Sequence, residues 1–138
     1  MNASAIRKAS FTRHYQDRPQ QSGADGTRTW ITRGANFVVV LSEAMAGAVL
    51  RRPDNSDESM ILLPPRVSAV IEAGLEKIDA AGDTLTIVPP GPSAVTMKSN
   101  GRVVRLFSSK SRDLAEAASN AADYSNGAPE VAPALAWP

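Results

Sequence analysis

The chain has 138 residues, 43% of them hydrophobic, which suffices for one domain with a real core and is too short for two ordinary ones. Its net charge is +1 and it has no cysteine, which excludes disulfides, thiolate nucleophiles and zinc–thiolate sites. No stretch approaches the ~18 apolar residues of a membrane span, and no apolar run of signal length follows Met1 to Lys8. A cytoplasmic protein without a membrane partner is the simplest expectation.

Residues 1–28 read as an irregular arm with one edge strand near Ala9 to Tyr15, because they lack sustained periodicity and Arg18 to Gly26 is rich in turn formers. Up to Arg33 the basic residues are Arg7, Lys8, Arg13, Arg18, Arg28 and Arg33 against Asp17 and Asp25. These spaced arginines lack the density of a phosphate-binding patch, so the arm reads as a solvated or partner-docked extension and no nucleic-acid partner is expected.

Over residues 29–110 the texture is one of short β-type runs separated by turn signals: Thr29 to Thr32, Asn36 to Leu41, Ala48 to Arg51, Ser59 to Leu63, Ser68 to Ala73, Thr84 to Val88, Ala94 to Lys98 and Arg102 to Ser108. Eight such runs predict an all-β sandwich or barrel. Ser99-Asn100-Gly101 predicts a hairpin between the last two. The unbroken Phe37-Val38-Val39-Val40-Leu41 predicts a strand covered on both faces, by the opposing sheet and the arm or by a second subunit.

Residues 111–138 switch to a helix and a proline-rich tail. Ser111 is a predicted cap, and Asp113 suits the positive end of the helix dipole. Leu114, Ala118, Ala121 and Tyr124 share a face of a helix from Arg112 to about Tyr124, stopped by Asn126-Gly127. The tail carries Leu135 and Trp137, apolar groups that call for a surface.

Ala80-Ala81-Gly82-Asp83-Thr84-Leu85-Thr86-Ile87-Val88-Pro89-Pro90-Gly91 joins a Gly-Asp turn, a short strand and a Pro-Pro-Gly corner. This segment resembles the second conserved motif of the cupin family, and the likeness extends over about Thr29 to Ser108. The resemblance implies a cupin-like jelly-roll β-barrel of two antiparallel sheets. It also implies a divalent metal held by three imidazoles and one carboxylate. Counting from Gly47, the first motif puts Pro53 and Asn55 at the paired histidine positions, with Glu58 near the glutamate position; the second puts Ala94 at the third histidine. The sole histidine is His14, in the arm. No metal, cofactor or catalytic residue is therefore expected, and Asp54, Asp57 and Glu58 read as a solvated loop because they lack the spacing of a calcium loop.

Two functions follow as expectations. The first is a non-catalytic scaffold or dimerisation domain, pairing with itself or with a second cupin domain, since the run from Asn120 to Pro138 resembles the inter-domain connection of bacterial two-domain cupins. The second is a metal-free barrel binding a small anion or sugar. For that ligand Arg105 is the first candidate, with Arg66 and Glu58 beside it and Arg51 and Arg52 also within the barrel mouth. An enzyme of unknown reaction stays open as a third, because fold does not exclude activity.

Overall fold

The computed structural model describes residues 12–124. Ten strands are present among them: β1 Gln21–Ser22, β2 Arg28–Arg33, β3 Phe37–Ala44, β4 Val49–Arg52, β5 Ser59–Leu63, β6 Ala69–Ala73, β7 Glu76–Ala80, β8 Thr84–Val88, β9 Ser93–Met97 and β10 Gly101–Ser108. They form a six-stranded sheet in the order β1-β2-β3-β10-β5-β8 and a four-stranded sheet in the order β4-β9-β6-β7, with every pairing antiparallel. The expected all-β architecture of two antiparallel sheets is what the chain adopts.

Strict alternation sets the inner face. Along β3, Val38, Val40, Ser42 and Ala44 are buried while the intervening side chains are only partly covered. Between the sheets lies one core that includes Leu50, Ile61, Leu63, Ile71, Val88, Val95, Met97 and Val103. Each such side chain contributes about 1.5 to 3 kcal/mol on leaving water. A second cluster joins Ile31, Val38, Val40 and Phe107 to Leu114, Ala115 and Ala118, so the helix closes one end of the sandwich.

Five expectations need correction. Strand β7, Glu-Lys-Ile-Asp-Ala, was not anticipated because it is an exposed, charged edge; the two-residue turn Gly74-Leu75 folds it onto β6. Ser99-Asn100-Gly101 is not a hairpin: β9 and β10 belong to different sheets, and the segment carries the chain across, held where Asn100 Oδ1 accepts from the Ala46 N–H at 2.8 Å. The helix α1 ends after one and a half turns, Arg112–Ala117, and a separate 3₁₀ turn spans Ala121–Tyr124. Asn120 explains the break, since its amide accepts from Arg33 N–H at 3.0 Å and donates to Arg33 C=O at 2.8 Å, while Ser119 N–H reaches Ile31 C=O. Those bonds to β2 replace the ones a continuing helix would make.

The fourth correction concerns Ser111, which occupies the N-cap position without making a side-chain capping bond. The fifth concerns the strand expected near Ala9 to Tyr15. Thr12 and Arg13 are irregular, His14 and Tyr15 lie in a turn, and the earlier part lies outside the described residues. This stretch folds onto Trp30, whose Nε1 donates to Asp17 C=O at 2.9 Å and whose ring meets that of His14 edge-on. Asn126-Gly127, Leu135 and Trp137 also lie outside the described residues.

Candidate functional site

Strand β10 is the middle of the six-stranded sheet, flanked by β3 and β5, and its register fixes what faces inward. Arg105 pairs with Val40 on one side and Ile61 on the other, within the inward row Ile31, Val40, Arg105, Ile61 and Thr86. A guanidinium thus stands in the middle of an aliphatic surface. Arg105 is 7% exposed, and it makes no hydrogen bond or ion pair among the described residues; its Nε is fully buried without a partner. Burial, and to a smaller extent repulsion from Arg52, lowers its pKa to about 10. The side chain is still a cation at neutral pH.

Arg52 provides the contrast. Both guanidinium groups lie against Phe107, Arg52 at 5.2 Å and Arg105 at 5.5 Å from the ring centroid. Arg52, however, donates to both carboxylate oxygens of Asp113, at 2.6 and 3.0 Å, and through Nε to Asn55 Oδ1 at 3.1 Å. That bidentate bond is the main reason the Asp113 carboxyl sits below its ordinary range. Of two neighbouring arginines, one is neutralised by the fold and the other is not.

Arg105 lines a cavity of about 330 Å³ between the β1 edge of one sheet and the β4 edge of the other. Ser22, Asp25, Thr27, Thr29 and Arg51 also line it. Thr29 is held by a buried hydroxyl contact to Ser42 at 2.9 Å. The Asp25 carboxylate accepts from the Thr27 N–H at 3.0 Å, which with the nearby Thr27 hydroxyl keeps its pKa low. The hydroxyl oxygen of Thr27 is itself fully buried beside that carboxylate.

The other anticipated ligand residues lie elsewhere. Arg66 is exposed on the turn after β5, in left-handed backbone at φ 69°, and Glu58 is exposed just before β5; neither lines the Arg105 cavity. Arg51 does, at the rim. Asp57 meets Lys110 at 3.7 Å on the surface, in keeping with a solvated loop. Ser22 and Thr27 were not singled out because residues 1–28 read as an arm, and Thr29 was read only as the start of a strand. The alternation of inward Thr29 and Ile31 with outward Arg28 and Trp30 was the available signal.

Of the positions expected for a metal, Pro53 and Ala94 line one cleft, Asn55 is buried and Glu58 is exposed. Asn55 and Gly91 exchange backbone hydrogen bonds at 3.2 and 2.9 Å, and Ala94 pairs with Arg51. Their chemistry does not fit a transition metal. Pro53 and Ala94 offer no donor atom, and Asn55 Oδ1 is occupied by Arg52. Among the described residues no three His, Asp or Glu side chains gather as a metal site would need.

The same sandwich occurs in solved structures. An RmlC-like cupin from Shewanella frigidimarina matches with TM-score 0.61 at 12% identity, over 73% of this chain and 91% of that one. KdgF from Halomonas matches with TM-score 0.58 at 17% identity over 72% and 94%, and a cupin superfamily protein from Desulfitobacterium hafniense with 0.55 at 14% over 64% and 82%. The chain has the cupin fold. No protein-family model matches the sequence, and neither does any curated protein. At these identities the likeness carries the architecture of a cupin and not its chemistry. No helix among the described residues is long and apolar enough to cross a membrane.

Proposed function

We propose that this cupin-fold chain is a metal-free binding barrel that takes a small anion on Arg105. The observation that carries this reading is a nearly fully buried guanidinium without a carboxylate among the described residues, next to a second arginine that has one. An unpaired buried cation costs several kcal/mol, and a fold that served only as a scaffold would gain from an apolar residue there. A bound anion offsets that cost.

The test is to replace Arg105 by Met, which keeps the packing against Phe107 and removes the charge. Without ligand Arg105→Met should raise the melting temperature, by the equivalent of about 1 to 3 kcal/mol. The stabilisation that small carboxylates give the wild type in a thermal-shift screen should vanish in the variant. A destabilised variant, or equal anion responses in both proteins, would count against the site.

A second reading, self-association, is supported by a different face. On the outside of the six-stranded sheet the register aligns Thr32, Val39, Leu106, Met60 and Ile87 in one row and Trp30, Leu41, Val104, Leu62 and Leu85 in the next. Trp30 is covered by the arm, but Leu85 and Ile87 are each 57% exposed, and a groove of about 460 Å³ opens beside Phe37 and Val39. Phe37 to Leu41 is therefore covered only partly on its outer face among the described residues. The rows end at Arg28, Glu43 and Arg102, where one carboxylate meets both arginines and one positive charge is left over. We read this flat face as the contact for a second copy, for which sedimentation at micromolar concentration is the test. A second cupin domain in its place is the alternative occupant.

A further inference from the structure

The cavity around Arg105 also constrains the class of anion. We infer that its ligand is a small hydroxy-monocarboxylate, with the carboxylate on Arg105 and the hydroxyl groups toward Asp25. This inference rests on the anion-binding reading above.

Charge is the first constraint. The ionisable groups lining the cavity are Arg105, Arg51 and Asp25, a balance of one positive charge, and the nearby Arg52 is already neutralised by Asp113. A single negative charge balances the site. A phosphate dianion would overshoot it and face the Asp25 carboxylate.

Donor geometry is the second. At the floor stands one guanidinium, between the aliphatic Val40 and Ile61 and against the Phe107 ring. That is a single planar fork, matched to the two oxygens of a carboxylate.

The third is the far end of the cavity. Asp25 is an exposed carboxylate acceptor there, which suits a ligand that donates O–H groups. Ser22 adds another hydroxyl on the same side. The volume of about 330 Å³ is the space of roughly ten waters, which suits a molecule of the size of glycerate and brings gluconate near the upper limit.

Titration calorimetry with D-glycerate, D-gluconate, propionate and inorganic phosphate tests the assignment, using wild type, Arg105→Met and Asp25→Asn. In the wild type, glycerate or gluconate should bind at least tenfold more tightly than either propionate or phosphate. Asp25→Asn keeps an oxygen for the Thr27 N–H but loses the charge; hydroxy acids should weaken about tenfold while phosphate improves, a change of preference that a purely structural role would not produce. Tighter binding of phosphate or propionate than of the hydroxy acids, lost in Arg105→Met, would overturn the hydroxycarboxylate assignment and leave the anion site standing. No difference between wild type and Arg105→Met with any of the four probes would overturn the anion site itself.

Discussion

Strand β10 carries Val103, Arg105 and Phe107 on its inner face and Val104 and Leu106 on its outer face. Across the sheet the inner row places a charge where oil is usual, and the outer rows place Met60, Leu62, Leu85 and Ile87 where water is usual. Each face departs from the ordinary partition of polar and apolar residues, in opposite directions. The fold needs neither departure for its own stability. A buried unpaired arginine is destabilising, and exposed leucines contribute little to a monomer, which is what supports the proposals of a small anion inside and a second copy outside.

The sharpest way to break this comparison is to charge the outer face alone. Leu62→Lys with Leu85→Lys places two cations in adjacent positions of one row, where like charges repel and cannot be buried against a partner. Self-association should fall more than 100-fold by sedimentation, while anion binding at Arg105, on the opposite face, is unchanged. Persistence of the assembly would move the contact elsewhere, and loss of anion binding would mean that the two faces are coupled.

A smaller effect comes from the corners that both faces share. A Cβ on Gly82 would stand 2.7 Å from the Arg66 backbone nitrogen and 3.0 Å from the Pro64 carbonyl oxygen, and Gly91 holds φ at 109°. Gly82→Val fails on space and Gly91→Val on backbone strain, each destabilising by about 1 to 3 kcal/mol. Asp54→Asn and Asp57→Asn, in the exposed loop, are the controls and should scarcely move the melting temperature. Equal shifts in the two groups would show that these corners do not hold the sheets together.

Much of this architecture was legible in the chain because period-two alternation survives burial. Seven of the eight anticipated runs fall within two residues of a strand end at both ends, and Asn36 to Leu41 stops three residues short of the end of β3. What was not legible depends on distant partners. Nothing in Glu76 to Ala80 announces a strand until β6 supplies a ladder, and nothing in Ser99-Asn100-Gly101 tells a hairpin from a crossing between sheets. The helix break at Ala118 comes from Asn120 bonding Arg33, a contact 87 residues away in sequence. The site was half visible. Alternation placed Arg105 with Val103 and Phe107, but that Arg105 has no counter-charge among the described residues while Arg52 has one follows only from where α1 puts Asp113.

The paired arginine yields the smallest prediction and sharpens the inner face. Arg52 holds the Asp113 carboxyl below its ordinary value, so the folded protein retains that charge at a pH where the unfolded chain has begun to take up a proton. Because the folded pKa is depressed, the stabilisation is fully present above the unfolded value of about 3.9 and is lost as pH falls through the folded value. Asp113 is 64% exposed on its side chain, and solvent screening keeps the contribution to a few tenths of a kcal/mol. Asp113→Asn should therefore lower the melting temperature slightly at pH 7 and not at all near pH 2. It should also leave Arg52 without its carboxylate beside Arg105, adding a second unbalanced cation close to the cavity. In calorimetry this variant should bind phosphate more tightly than the wild type does, by about twofold to fivefold, and unchanged phosphate affinity would show that Arg52 lies outside the field that a ligand on Arg105 experiences.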